Sequence, residues 1–246
     1  MWLKYIVKNW LFLLCIYVSP IDLLGQHYMA ELAPGEDLFQ AVGQKYGTGD
    51  VLVSGKFFEN IYVNDLGHPY FNQDEYKKGH IVIHNLKFED LKLKYNVWDQ
   101  TLLVQRNKNS NYKTSYMPPV DFISEFVIDG HQFKKCNLNG KGNCFYEEIY
   151  NGDMSCLCYW EKDRSESAHK VSFMAHKFSE QKKKFYLITN GTHYIFKGKK
   201  TLIKLFPEHK KQISKYINEH DIKQYKLTGT DMANLLAFCE KISKNG

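Results

Sequence analysis

Beyond its first 25 residues, this 246-residue chain has no long apolar run, so a bundle of membrane-spanning helices, each needing about 20 apolar residues, is not expected. Proline (6) and glycine (16) are too sparse for a low-complexity or collagen-like chain, and no internal repeat of about 20–50 residues is visible. Charge of one sign is scarce as well. The formal surplus is +6, scattered along the chain, which is weak support for a nucleic-acid binder. Familiar catalytic signatures are absent: there is no Gly-x-Ser-x-Gly, no His-Glu-x-x-His and no phosphate-cradling Gly-x-x-x-x-Gly-Lys-Ser/Thr. What is present is 43% hydrophobic, 24% charged and 15% aromatic residues, the composition of a globular chain able to bury a large core.

The one apolar run lies at the start. Lys4 and Lys8 precede Trp10–Val18, Pro20 breaks the segment, and Gly25-Gln26 offers a small residue before a polar stretch. That run is too short to span a bilayer, and the order of charged, apolar and small residues is that of a cleaved secretory signal over residues 1–25. Leu23 is a poorer residue than alanine three positions before the cut, and Leu14 before Cys15 is not the small residue a lipoprotein signal needs. The expected product begins near Gln26 and is secreted or periplasmic, soluble or peripheral. The alternative is a buried N-terminal helix.

Export changes how the cysteines read. Five remain after Cys15: Cys136, Cys144, Cys156, Cys158 and Cys239, an odd number in an oxidising compartment. Cys136 and Cys144 flank a turn-like loop and can face each other across a hairpin, where a disulfide is possible. Cys156 and Cys158 share one face of a strand, do not have zinc-knuckle spacing, and read as small buried apolar residues.

From Val51 to Lys197 the dominant period is two. Leu91, Leu93, Tyr95 and Val97 alternate with Lys92, Lys94 and Asn96, and similar runs cover 51–57, 80–84, 101–105, 122–129, 145–150, 154–160, 185–189 and 193–197. Short turns such as Asn190-Gly191 between them favour antiparallel hairpins. Residues 162–184 are the longest polar gap and read as a mobile loop. After Lys200 the period becomes helical: Ile213, Tyr216 and Ile217 share a face, and Met232, Leu235, Leu236, Cys239 and Ile242 form an apolar stripe, with Thr228 or Thr230 as its cap. The expected class is α+β: a curved antiparallel meander of hairpins, a short N-terminal helix between Gln26 and Gln44, and a C-terminal helical pair. The expected organisation is a signal at 1–25, a mainly β region at 26–200, and a helical segment at 201–246 packed on the same unit.

Gly67-His68-Pro69-Tyr70-Phe71, Gly79-His80-Ile81-Val82, Leu93–Asp99, Glu125-Phe126-Val127-Ile128 with Phe133, Phe145-Tyr146-Glu147 before Gly152, and the lysine-rich segment from Lys199-Lys200 together resemble a family of uncharacterised secreted proteins of Bacteroidota. The resemblance runs over about residues 50–240. It implies export and one architectural unit, and supplies no activity, ligand or site. The cysteine-flanked loop at 136–144 is not part of that pattern.

Residue by residue, little chemistry declares itself. His80 and His84 are four apart, but in a strand that is about 13 Å, too far to share a metal. Glu147 and Glu148 are adjacent, so they point to opposite faces and cannot form an acid/base pair on one substrate. Glu125, flanked on its own face by Ile123 and Val127, is the acid with most catalytic interest; its alternative is an edge-strand charge or a cross-strand ion pair. Cys239 sits on a core stripe and reads as inert. Lys182, Lys183, Lys184, Lys199 and Lys200, with Tyr186 and Tyr194, can form a basic and aromatic surface, the alternative being a solvated face. No catalytic, cofactor-binding or metal-ligating residue is assigned, and no cofactor is expected. The expectation is a non-catalytic exported envelope protein that binds a protein, a glycan or an anionic lipid surface rather than nucleic acid. The alternative is a small secreted hydrolase with an unrecognised site.

Overall fold

The computed structural model describes residues 55–106, 114–138, 140–166 and 176–244. The expected signal at 1–25, the helix expected between Gln26 and Gln44, and the start of the first strand at Val51 lie outside the described residues.

Alternation produces the strands and short turns fold them back. The strands are β1 (Lys56–Phe57), β2 (Lys77–Ile83), β3 (Leu86–Asn96), β4 (Thr101–Arg106), β5 (Thr114–Met117), β6 (Ile123–Ile128), β7 (His131–Cys136), β8 (Cys144–Asn151), β9 (Ser155–Glu161), β10 (Arg164–Glu166), β11 (His176–Phe178), β12 (Lys182–Thr189) and β13 (Thr192–Ile195). Three two-residue hairpins, His84-Asn85, Asp129-Gly130 and Asn190-Gly191, have positive φ at both positions, the backbone of a turn whose twist matches the strands it joins. His84 is therefore a turn residue, not the end of a strand.

Among the described residues eleven strands form one antiparallel sheet in the order β1-β5-β4-β3-β2-β6-β7-β8-β9-β12-β13, which does not close on itself; β10 and β11 pair separately. The sheet curls tightly. From β3 to β8 is four steps, about 19 Å in a flat sheet with strands about 4.8 Å apart, yet the rings of Tyr95 and Phe145 are 6.0 Å apart. Aromatic packing of Phe126, Phe133 and Tyr95 fills the curl, and Gln100 in the β3–β4 turn accepts the N–H of Phe145 at 3.2 Å to fasten it.

The helices α1 (Lys199–Leu205), α2 (Lys210–Glu219) and α3 (Gly229–Lys244) cover the far end of the same face. Met232, Leu235, Leu236 and Cys239 of α3 are buried against Met154, Cys156, Cys158, Phe185 and Leu187. Thr228 caps α3 reciprocally: its hydroxyl accepts the Asp231 N–H at 3.0 Å, and Asp231 accepts the Thr228 N–H at 2.9 Å. At the other end Glu240 accepts the Met154 N–H at 2.7 Å and the Tyr150 hydroxyl at 2.9 Å, which ties α3 to the β8–β9 turn.

The polar gap is not wholly a loop. Its described part holds the β10–β11 hairpin, anchored because Phe178 is buried against Tyr62 and Trp98. Arg164 lies over the same three rings and donates to Asp65 at 2.8 Å. Three-residue strands such as these are too short for a period to show.

Candidate functional site

Among the described residues, Glu147 and Asn96 are the two polar residues buried as a whole, while the Asp65 side chain is buried under Arg164. Asn96 is structural: its carbonyl accepts the N–H groups of Trp98 and Asp99, and its amide donates to the Tyr62 hydroxyl. Glu147 is different. It is a carboxylate, 6% exposed, at the seam where the aromatic curl meets the helix-covered core.

Register puts its partners there. Phe133 on β7 faces Glu147 on β8, Glu147 faces Cys158 on β9, and Trp160 on β9 faces Lys183 on β12. Residues two apart share a face, so His131, Glu147, Trp160 and Lys183 form a diagonal across four neighbouring strands. The His131 imidazole donates Nδ1–H to one oxygen of Glu147 at 2.5 Å, and the Trp160 indole N–H donates to the other at 2.6 Å. Both carboxylate oxygens are thus satisfied, which is what lets a charge stay buried. The hydrogen bond to Glu147 raises the His131 pKa above the ordinary histidine value, against the opposing effect of burial. Glu148 turns to the opposite face and pairs with Lys134, as adjacent strand residues must.

Two clefts open on this diagonal. One, about 540 Å³, is lined by Phe71, His131, Glu147, Trp160 and Lys183, with Thr228–Thr230 at the start of α3 closing one side. The other, about 410 Å³, is lined by His68, Lys162, Phe178 and Gln181. Trp160 and Asn72 line both, so the two are lobes of one groove. Asn72 takes a positive φ of 53° and bonds Gln181 reciprocally, its N–H donating at 2.8 Å and its carbonyl accepting at 3.4 Å. In the second lobe His68 Nδ1 accepts the Tyr70 N–H, and burial, then the Lys162 ammonium, lower the His68 pKa. Burial also lowers the Lys162 pKa. The groove therefore carries one imidazole biased towards the cation and one towards the neutral form. Among the described residues no group of three or more His, Cys, Asp and Glu is placed to hold a metal ion.

The residues singled out in the sequence distribute as follows. Lys183 lines the groove, whereas Lys182, Lys184 and Tyr186 face the other way; Lys182 pairs with Asp163 and Lys184 with Glu161, and Tyr186 is buried. Tyr194 faces Leu187, on the helix-covered side, and Lys199 and Lys200 are exposed at the start of α1. Cys136 and Cys144 are direct partners across β7 and β8; both are free thiols, the first half-buried and the second buried. Cys156, Cys158 and Cys239 are buried, and burial raises all three thiol pKa values, that of Cys239 to about 12. Glu125 lies across from Lys134 and is not in the groove. The irregular step between Val82 and Ile83 sends Ile123 into the core with Phe126, so Glu125 does not share an apolar face with Ile123.

Glu147, His131, Trp160 and His68 carry the groove; His68 and Glu147 fall in stretches that carry the resemblance, but none of the four was assigned to a site. One signal could have found them: Phe145 and Glu147 share a face with Cys156, Cys158 and Trp160, which puts an acid on an otherwise apolar surface. Comparison of the chain with family models, with curated proteins and with solved structures finds no match. No helix among the described residues is long and apolar enough to cross a membrane.

Proposed function

We propose that this chain is an exported, non-catalytic binding protein, and that the groove on either side of Trp160 is where it binds. The observation that carries the reading is the buried Glu147 carboxylate, which holds Trp160 and His131 in fixed orientations on the groove wall. Side chains locked in this way present a pre-formed surface and lose little freedom on binding. An open groove of two lobes, one mainly apolar around Phe71 and Trp160 and one more polar around His68 and Gln181, suits an extended ligand with both apolar ring faces and hydroxyls, such as a glycan, better than a compact apolar one. Export rests on the order of residues 1–25 and on the resemblance to secreted proteins.

The test is a nuclear magnetic resonance titration of isotope-labelled protein with soluble oligosaccharides. The expected result is saturable shifts of the Trp160 indole N–H, the His131 ring and the Asn72 and Gln181 side-chain amides. Shifts confined to other surfaces would defeat the assignment. The His131–Glu147 pair favours a second reading, a hydrolase in which an oriented imidazole removes a proton from water. Product formation that disappears in His131→Gln would establish that reading instead.

A further inference from the structure

The lysines on the strands and turns that build the groove, on both faces of the sheet, divide into two kinds. Lys94, Lys134, Lys182 and Lys184 each sit on a carboxylate. Lys162 and Lys183 do not: among the described residues neither has a carboxylate within 4 Å, and both are half-buried. Lys162 reaches only neutral acceptors, the His68 carbonyl at 2.7 Å and the His68 Nδ1 at 3.4 Å, and the Lys183 ammonium lies 5.6 Å from the centre of the Trp160 ring. One stands in each lobe, on either side of Trp160. Taking an ammonium out of water without an anion is unfavourable, as the lowered Lys162 pKa reflects. Two lysines without a carboxylate partner in one groove leave room for anions brought by something else.

We propose that the groove holds an acidic oligosaccharide laid across Trp160, with one acidic group on Lys183 and another on Lys162. This inference rests on the proposed reading of the groove as a binding site. A sugar ring offers an apolar C–H face to Trp160 and hydroxyls to Asn72, Gln181 and His68, all of which can exchange hydrogen bonds with it. The spacing of charge argues against nucleic acid. Single-stranded nucleic acid carries a phosphate at every nucleotide and is held by a continuous basic track, whereas the carboxylates of Glu147 and Glu180 also line this groove. A ligand with sparse acidic groups avoids that repulsion.

The experiment is isothermal titration of the full-length chain with four probes: oligogalacturonates of two to six residues, a sulfated oligosaccharide, a neutral glucan oligosaccharide of matched length, and a short oligothymidylate. An acidic oligosaccharide should bind, and Lys183→Gln and Lys162→Gln should each weaken it about tenfold, a charge-assisted contact apiece. Rising salt should weaken it further. Both lysines are half-exposed, so the variants should fold, and unchanged melting temperatures would verify that. Equal binding of the neutral oligosaccharide, unmoved by either substitution, would overturn the acidic assignment and leave the groove reading standing. Tighter binding of oligothymidylate would overturn it in favour of nucleic acid, and silence from all four probes would overturn it outright. Because Trp160 also packs in the core, Asn72→Ala accompanies Trp160→Ala; acidic-oligosaccharide binding untouched by both would overturn the groove reading itself.

Discussion

Replacing His131 by leucine removes the donor from one oxygen of Glu147 while keeping an apolar body against Phe71, whose ring is 5.1 Å from the imidazole. The Glu147 carboxylate stays where it is, still buried, and keeps Trp160 as its donor. Losing a hydrogen bond to a charged group costs about 1.5–3 kcal/mol, and stripping one partner from a fully buried pair costs about 3–5 kcal/mol. Here the imidazole is 38% exposed, so solvent screens part of the attraction and water can take its place. The loss should therefore fall at the lower end, about 2 kcal/mol, or about 4–8 °C in melting temperature for a chain of this size.

The pH dependence has a definite sign. The folded protein raises the His131 pKa above its unfolded value of about 6.5. A raised histidine contributes stability that is fully present below about pH 6.5 and is lost as pH rises through the folded value. Thermal unfolding followed by circular dichroism at pH 5.5, 7 and 8.5 should thus show the widest gap between the parent and His131→Leu at pH 5.5, narrowing as pH rises. A gap that widens with pH, or no gap at any pH, would refute the pairing of His131 with Glu147.

Other substitutions probe the frame that holds the groove. Leu235→Ala or Leu236→Ala, both on the buried face of α3, should each cost about 2–5 kcal/mol; an unchanged denaturant midpoint for both would show that α3 does not dock. Gly152→Ala would place a Cβ 2.6 Å from Glu240 and 2.8 Å from Tyr150, so it should lower the melting temperature in the parent and much less in a Glu240→Ala background. Thr228→Ala should cost about 1 kcal/mol through the lost cap, read by chemical denaturation. Mild oxidation by a disulfide reagent should join Cys136 to Cys144, each thiol giving up a proton while the reagent is reduced to its thiols. Alkylation of the unfolded, unreduced protein would then label two fewer cysteines than before oxidation; an unchanged number would exclude the bridge.

Period-two alternation and turn chemistry placed the long strands because both are local. Asn190-Gly191 takes the left-handed backbone its residue types favour, and β3 alternates exposed Lys92 and half-buried Lys94 with buried Leu93 and Tyr95, as its spelling implies. Where the pattern was too brief it told nothing: β5, β10 and β11 are three or four residues long, and their place depends on what packs over them. The order of β1, β5 and β4 at one edge, or of β9 beside β12, follows from pairing between distant segments that no window of sequence displays.

The groove shows why a chemically important residue can pass unnoticed in a sequence. Adjacent Glu147 and Glu148 point to opposite faces, which rules out a carboxylate pair, and that is where local reasoning stops. What gives Glu147 its role is a histidine 16 residues away and a tryptophan 13 residues away, brought to it by the register of two hairpins. A shift of one residue in either pairing would turn the diagonal of His131, Glu147, Trp160 and Lys183 to alternate faces and abolish the arrangement. The irregular step between Glu148 and Tyr150 lies just past Glu147 on β8, so the pairing of Glu147 with Cys158 holds only on its near side. The curl of the sheet then decides what stands across the groove. It brings the segment around Asn72, hydrogen-bonded through Phe71 to Tyr95, over β9 and β12, and without it Trp160 would lie on an open face with no second wall. The apolar rings that drive that curl are thus also what turns a satisfied buried carboxylate into the floor of a binding groove.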